Sequence, residues 1–129
     1  MKIGFDAKRA FQNSTGLGNY SRTLIASLAR FFPENAYYLF APRITDLFDF
    51  GQSSNIHVIT PSSFPSNVLK SAWRSKWVTA DLKKNNISLY HGLSHEVPVG
   101  IEQTGIPSVV TMHDLIFERY PEQFKKTDR

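Results

Sequence analysis

Apolar residues occur in this chain as short runs and as longer helically spaced stripes, and the two alternate. Short runs rich in β-branched and aromatic residues predict five β-strands, at residues 2–6, 37–41, 57–60, 87–91 and 107–112. The last run is apolar throughout, which is typical of a central strand in a parallel sheet.

Two segments between these strands have apolar residues at helical spacing. The first begins after a polar stretch at residues 7–15, ends at Pro33, and has Thr15 or Asn19 as a candidate cap. The second follows a loop at residues 62–66 and continues to Asn86, with Trp73 and Trp77 one turn apart. A short helical turn is predicted at residues 45–50 and a loop at residues 92–105. Strands alternating with helices predict an α/β fold, a Rossmann-like parallel sheet of five strands with helices on both faces.

Length and composition narrow this picture. A chain of 129 residues with 41% hydrophobic residues is sufficient for one domain, and the absence of cysteine excludes disulfides, thiolate zinc sites and iron–sulfur clusters. The early Asp6 argues against a signal peptide, and no apolar run approaches the ~18 residues of a membrane-spanning helix, so the cytoplasm is the expected location.

The positive charge of the chain is local. The segment from Lys70 to Lys84 contains five basic residues and one acid, Asp81, and so accounts for the whole net charge of +4. The rest of the chain is neutral, which argues against a nucleic-acid partner.

In parallel α/β sheets, ligands bind outside the carboxyl ends of the strands. This rule selects three places: the loop at residues 6–18, the loop at residues 91–98, and the pair His113 and Asp114. We expect all three to open onto the same edge of the sheet.

The first of these loops ends in Gly16, Gly18 and Asn19, directly before a predicted helix. Glycines at a helix N-terminus let backbone N–H groups approach an anion, which predicts a phosphate or diphosphate ligand, although a flexible glycine turn explains the pattern equally well. A dinucleotide fingerprint is disfavoured because Ser21 occupies the third glycine position and no acid ends the second strand. No P-loop motif is present.

Histidines mark the other two loops. His91 and His95 have a spacing that would ligate a metal on a helix, but Gly92 and Pro98 disfavour a helix, so we predict no metal site. A histidine bonded to backbone is the commoner outcome, and recognition of a substrate hydroxyl is the alternative.

The third place admits two interpretations as well. His113 follows an apolar strand and is either a buried structural group or a functional one, while Asp114 either caps the next segment or orients the imidazole. No Ser–His–Asp triad and no paired carboxylates are evident.

The basic helix also admits two interpretations. Its two tryptophans pack on the sheet while its bases face water, which is the more common arrangement. Alternatively, the helix forms a surface that meets a membrane or an anionic lipid-linked substrate, made of Lys70, Trp73, Arg74, Lys76 and Trp77.

Four stretches, taken in order, resemble the N-terminal domain of the glycosyltransferase group 1 family, the retaining GT4 enzymes of the GT-B fold. They are the glycine loop and following helix start at residues 16–22, the basic segment at 74–77, the strand end at 89–93 with Pro98, and residues 111–115 with Pro121. Each is weak alone, but together they span nearly the whole chain. The sequence is most similar to members that build O-antigen or capsular polysaccharide, including mannosyltransferase-like enzymes.

The resemblance implies a retaining transfer of a sugar from a nucleotide-sugar, which is a co-substrate, to a glycan or lipid-linked acceptor, without a cofactor or catalytic metal. It implies that His113 contacts the donor sugar near the reacting carbon and that Asp114 helps to shape its pocket. The donor diphosphate would lie near the glycine loop. Residues implied to bind the sugar or the acceptor are Lys8, Arg9, Tyr20, His91, Ser94 and His95.

Family members have two Rossmann-like domains and two to three times this length. By resemblance, residues 1–129 are a partial N-terminal domain whose partner, the C-terminal donor-binding domain, is missing, and we expect this fragment to be inactive alone. The implied location is the cytoplasm, at the inner face of the membrane. Two alternatives remain open: a non-catalytic sugar- or phosphate-binding module, and a peripheral membrane-interaction domain using residues 70–84.

Overall fold

A computed structural model describes residues 1–61 and 73–120 of the chain. These residues contain one parallel sheet, whose strands are β1 (Lys2–Asp6), β2 (Ala36–Phe40), β3 (Ile56–Ile59), β4 (Leu89–Gly92) and β5 (Ser108–Val110). The strand order is β3-β2-β1-β4-β5, and every neighbouring pair is parallel. The predicted α/β, Rossmann-like fold is confirmed, and each strand lies within two residues of its predicted ends.

Helices connect the strands. They are α1 (Lys8–Gln12), α2 (Gly16–Phe31), α3 (Val78–Lys84) and α4 (Ile116–Arg119), with a π-helical turn at Trp73–Trp77 and a 3₁₀ turn at Ile101–Thr104. None of the helices among the described residues is long and apolar enough to cross a bilayer.

Two local predictions were wrong, and both errors involve the same aromatic cluster. The polar stretch at residues 7–15 contains α1, because Phe11 is fully buried and forms a ring contact 5.6 Å from Phe48 and 6.5 Å from Phe50. Residues 45–50 form no helix, since their aromatic side chains extend onto α1 instead.

The sheet has a core on each face because successive strand residues point to opposite sides. On one face, Phe5, Tyr37 and Leu39 pack with Ile25 and Ala29 of α2. On the other face, the core is made by strand and helix residues that include Phe40, Tyr90, Val78 and Leu82.

The strand β5 differs from its prediction as a buried central strand. Within the described residues its only neighbour is β4, and its successive residues Val109 and Val110 are 48% and 41% exposed. Because these two side chains point to opposite faces, neither face of β5 is covered by the part of the chain that the structure describes.

Candidate functional site

The order in which the chain adds strands to the sheet reverses between β1 and β4. The chain builds β2 and β3 on one side of β1, and then crosses to place β4 and β5 on the other side. Such a switch point opens a crevice at the carboxyl ends of the two central strands. The three loops selected from the sequence all lie at this edge, because β1, β4 and β5 are adjacent and parallel.

One hydrogen-bonded network at this edge joins three elements. The Tyr20 hydroxyl on α2 lies 3.1 Å from Thr111 Oγ1. Thr111 Oγ1 also lies 2.8 Å from His91 Nε2 on β4. The His91 ring also packs 5.6 Å from the ring of Phe5. Burial lowers the pKa of His91 below its usual value, which favours the neutral form of this imidazole.

His113 lies next to this network and has a defined tautomer. Its Nε2 is 2.8 Å from the carbonyl oxygen of Leu93. A carbonyl only accepts, so Nε2 carries the proton, and in the neutral ring Nδ1 is left as an acceptor. The ring meets that of Tyr20 edge-on at 4.9 Å. His113 therefore has one nitrogen that anchors it, and its Nδ1 can accept a hydrogen bond from a ligand hydroxyl.

His95 supports His113 from the loop after β4. Its Nε2 accepts a hydrogen bond from the backbone N–H of His113 at 2.9 Å, and its own backbone N–H donates to Thr111 O at 3.1 Å. The backbone of His95 is in the left-handed region, with φ of 61°. Ser94, the preceding residue, is buried. A residue other than glycine is uncommon at such a φ and needs support from its surroundings. The hydrogen bonds of the His95 ring and of its backbone N–H provide that support.

On the other face of the sheet, the same edge holds an ion-pair cluster. Arg74 Nη1 lies 2.6 Å from Asp6 Oδ2, and Arg74 Nη2 contacts Glu96 Oε2. Burial opposes the charge on Arg74, but the two carboxylates outweigh it and raise the pKa of the guanidinium above its usual value. The placement of Arg74 on an outward membrane surface is therefore corrected: its side chain is turned inward to the end of β1.

Tyr90 lines the cavity beside this cluster. Burial, together with the negative charge of Asp6, raises the pKa of the Tyr90 hydroxyl well above its usual value, so the group stays protonated. The sequence pattern did not single out Tyr90, Asp6 or Glu96 as site residues. Asp6 had a usable signal, since it is the last residue of a buried strand and so lies at the ligand edge of the sheet.

The glycine loop is held by Asn13, which the sequence did not suggest. Asn13 Oδ1 accepts hydrogen bonds from the backbone N–H groups of Thr15 and Gly18, at 2.9 and 3.1 Å. Thr15 is the N-cap residue of α2 but makes no side-chain cap bond, and Asn19 Oδ1 instead accepts from Arg22 Nη2 at 2.6 Å. The predicted caps are therefore replaced by Asn13.

The two glycines of this loop have different surroundings. A Cβ atom at Gly18 would lie 1.7 Å from the carbonyl oxygen of Asn13, whereas a Cβ at Gly16 would have no atom within 4 Å. Gly18 is thus required by the close packing of α2 on the preceding loop, and Gly16 borders open space.

The two tryptophans of the basic segment differ in their exposure to solvent. Trp73 is 2% exposed, packs 6.5 Å from the ring of Phe40, and donates from Nε1 to Asp81 Oδ2 at 2.7 Å. Trp73 therefore belongs to the core, as expected if the tryptophans pack on the sheet. It is not part of the proposed membrane or anionic-substrate surface. Trp77 is 44% exposed, and Lys76 borders a second cavity. Lys70, the remaining member of that set, lies outside the described residues.

Three other candidates lie near the edge. Lys8 and Arg9 are in α1, directly after β1, and the Lys8 backbone N–H donates to Asp6 Oδ1 at 3.2 Å. Asp114 Oδ1 accepts from the backbone N–H of Ile116 at 3.2 Å. Asp114 thus makes a local bond to the first residue of α4, whose N-cap residue is Leu115 and makes no side-chain cap bond.

Among the described residues, no group of three or more histidine and acidic side chains is arranged to hold a metal ion. The chain was compared with models of protein families, with curated proteins and with solved structures, and no match was found in any of the three comparisons.

Proposed function

We propose that this chain forms the acceptor-side N-terminal domain of a retaining glycosyltransferase, which moves a sugar from a nucleotide-sugar to a glycan or lipid-linked acceptor. The proposal rests on the ordered sequence motifs and on the concentration of polar groups at the switch point of the sheet. Its partner is a second, donor-binding domain, and the compartment that it implies is the cytoplasm, at the inner face of a membrane.

The arrangement of His113 carries the proposal. With Nε2 donating to the Leu93 carbonyl, Nδ1 is the nitrogen left to accept a hydrogen bond from a hydroxyl group, which is a contact that a sugar can make. The neighbouring Tyr20 and Thr111 hydroxyls and His91 add further donors and acceptors within one connected network. Neutral groups that both donate and accept suit a polyhydroxy ligand better than an anion or a cation.

The N-terminus of α2 supplies the other half of the proposed chemistry. A leaving diphosphate gains stability from backbone N–H groups and from the positive end of a helix. Gly16 borders open space at this terminus, which leaves room for such a group, while Asn13 already occupies the N–H of Gly18. We therefore assign the approach of the diphosphate to the Gly16 side of the loop.

The test uses the protein encoded by the whole reading frame that contains this chain. Transfer from UDP-, GDP- and TDP-sugars to endogenous lipid and glycan acceptors is measured for the parent, for His113→Ala and for a control, His57→Ala. His57 is an exposed histidine on β3, away from the switch point. We expect His113→Ala to lower kcat/KM by about 10²–10³-fold, as for loss of one preorganised polar contact, and the control to stay within about twofold.

The opposite result has a definite meaning. Equal loss in both variants, or no transfer from any donor by a protein that folds, contradicts the proposal and favours a non-catalytic binding module. Clear turnover by residues 1–129 alone contradicts the expectation that this fragment is inactive.

A surface for anionic partners is a second candidate function, and one observation favours it. Lys76 and Lys83 border a cavity of about 480 Å³, and Trp77, the residue after Lys76, is exposed. Each lysine near an anionic membrane contributes ~1 kcal/mol, so reversing both charges weakens binding by more than about tenfold. Flotation with phosphatidylglycerol vesicles compares Lys76→Glu/Lys83→Glu with a control of equal charge change, Arg30→Glu/Arg43→Glu. Equal binding by both variants contradicts this function.

A further inference from the structure

The pairing of the segments that follow β4 and β5 ends in a bond to a side chain. Past the paired strands, the N–H of Thr111 donates to Gly92 O at 2.9 Å, and the N–H of His95 donates to Thr111 O at 3.1 Å. Two residues further along, the N–H of His113 donates to Nε2 of the His95 ring at 2.9 Å instead of to a backbone carbonyl. A ring nitrogen is therefore the last acceptor in a row of backbone hydrogen bonds.

This acceptor differs from a carbonyl oxygen because it can take up a proton. A ring nitrogen that accepts from an N–H group carries no proton itself, so the bond requires Nε2 of His95 to be unprotonated. In the protonated ring both nitrogens are donors. Protonation of His95 therefore sets a ring N–H against the backbone N–H of His113, and the bond is lost.

The His95 side chain is exposed, so its ring can exchange protons with the solvent. The nearest titratable group is the ring of His113, whose centroid lies 5.4 Å away. Tyr20 of α2 contacts that second ring edge-on, and His91 of β4 joins the same hydrogen-bonded network, where burial favours its neutral form. A proton on His95 is thus placed among imidazoles and a phenol, none of which carries a compensating negative charge.

The carboxylates of the two segments have other partners. Glu96, the next residue in the loop, contacts Arg74 on the other face of the sheet. Asp114 Oδ1 accepts from the backbone N–H of Ile116. In the part of the chain that the structure describes, no carboxylate forms an ion pair with a histidine. Nothing among these residues therefore replaces the bond that protonated His95 gives up.

Loss of this bond changes how His113 is held. His113 is joined to the loop after β4 twice, through its backbone N–H to His95 and through its ring Nε2 to Leu93 O at 2.8 Å. Without the first bond, only the ring attachment remains. The left-handed turn at His95, with φ of 61°, loses one of its two supporting bonds at the same time.

We propose that His95 is a pH-sensitive switch: the neutral ring holds the backbone of His113 in place, and the protonated ring releases it. The arrangement with the bond is compatible only with the neutral ring, whereas the released arrangement is compatible with either form. A fall in pH therefore shifts the population toward the released form. The switch follows from the geometry alone, while its effect on sugar transfer rests on the proposed function.

The backbone amide signal of His113 in ¹H–¹⁵N NMR spectra of the 129-residue chain tests the switch. An amide proton moves upfield when it loses a hydrogen bond. We expect this signal to move upfield as the pH is lowered from about 8 to about 5, the range in which imidazoles ordinarily take up a proton. The midpoint of the change should equal that of the His95 ring signals, which are followed in the same samples.

Two replacements of His95 define the two ends of this change. In His95→Gln, the side-chain oxygen lies as many bonds from Cα as Nε2 does and accepts at every pH, so the amide of residue 113 should stay near its high-pH position. His95→Asn suits the left-handed backbone but is too short to reach, so the same amide should stay near its low-pH position. These two variants report in opposite directions, which separates loss of the bond from loss of the fold.

Two further variants serve as controls. His113→Gln retains the amide of residue 113 and removes the titration of its own ring, so the change with pH should persist. His57→Gln removes an exposed histidine of β3 and should leave the change as it is in the parent.

Three outcomes overturn the inference: the His113 amide stays in place while His95 titrates, the change persists in His95→Gln, or it disappears in His113→Gln. For the protein encoded by the whole reading frame, kcat/KM of transfer should fall between pH 7.5 and 5.5 roughly fivefold more in the parent than in His95→Gln, the equivalent of about one hydrogen bond. An equal fall in both contradicts this effect on transfer. A switch seen by NMR in a protein without transferase activity supports the inference and contradicts only the proposed function.

Discussion

Replacement of Gly18 by alanine tests how the glycine loop is built. A Cβ atom at this position would lie 1.7 Å from Asn13 O and 2.7 Å from Asn13 C, whereas real Cβ contacts are essentially never closer than 3.0 Å. The obstacle is backbone and not a flexible side chain. The loop and the first turn of α2 must therefore separate by more than 1 Å, which also breaks the bond from Gly18 N–H to Asn13 Oδ1.

The cost follows from these contacts. Overpacking of a tight contact costs about 1–3 kcal/mol, and loss of a helix cap costs about 1 kcal/mol. Alanine recovers about 0.5–1 kcal/mol because it loses less backbone entropy than glycine in a helix. The net loss expected for Gly18→Ala is about 1–3 kcal/mol. For Gly16→Ala, where no atom lies within 4 Å, only the favourable backbone effect remains.

Urea unfolding followed by circular dichroism measures both variants. With a slope of about 1.5 kcal/mol/M, typical of a small domain, Gly18→Ala should lower the midpoint by about 1–2 M, and Gly16→Ala should leave it unchanged or raise it slightly. Equal midpoints for the two variants would refute the proposed close contact. A lower midpoint for Gly18→Ala alone would show that the close contact with Asn13 requires glycine at position 18 and that no such contact exists at position 16.

Two further measurements address other parts of the fold. Burial lowers the pKa of His91, so the contribution of this side chain to stability is present above the unfolded pKa of about 6.5 and is lost as the pH falls through the folded pKa. The urea midpoint should therefore drop between pH 7.5 and 5.5. The drop should be less steep in His91→Gln than in the control His57→Gln. Trp73→Phe leaves Asp81 Oδ2 without its indole donor and the core with a smaller ring, so the free energy of unfolding should fall by about 2–4 kcal/mol; a fall below 1 kcal/mol contradicts a buried Trp73.

Most of the sheet could be predicted because its signals are local. The strand Lys2–Asp6 matches its predicted ends, and the apolar stripe before Pro33 predicted α2. The short helix α1 has no such signal, since its stability depends on tertiary contacts of Phe11 with aromatic residues almost forty positions away. The apolar run at residues 107–112 predicted a strand correctly, but composition alone does not say which neighbours that strand has.

The candidate site was less predictable because its pairs are distant in sequence. Arg74 reads as one base in a basic segment, and only the fold brings it to Asp6, 68 positions away, and to Glu96, 22 positions away. The two tryptophans look equivalent at helical spacing, yet Trp73 enters the core at the π-helical turn while Trp77 is half exposed. Loop positions were predictable from strand ends, whereas the partners of each side chain were not.

The loop after β4 contributes residues to both faces of the sheet at the switch point. Tyr90 and His91 are consecutive in the strand, so they face opposite sides of the sheet and enter different sites. His95 and Glu96 repeat this division, because His95 bonds to the backbone of His113 while Glu96 contacts Arg74. A change in the position of this loop therefore acts on both sites at once. A contact that restrains Glu96 also restrains the adjacent His95, whose ring accepts the hydrogen bond from the backbone of His113.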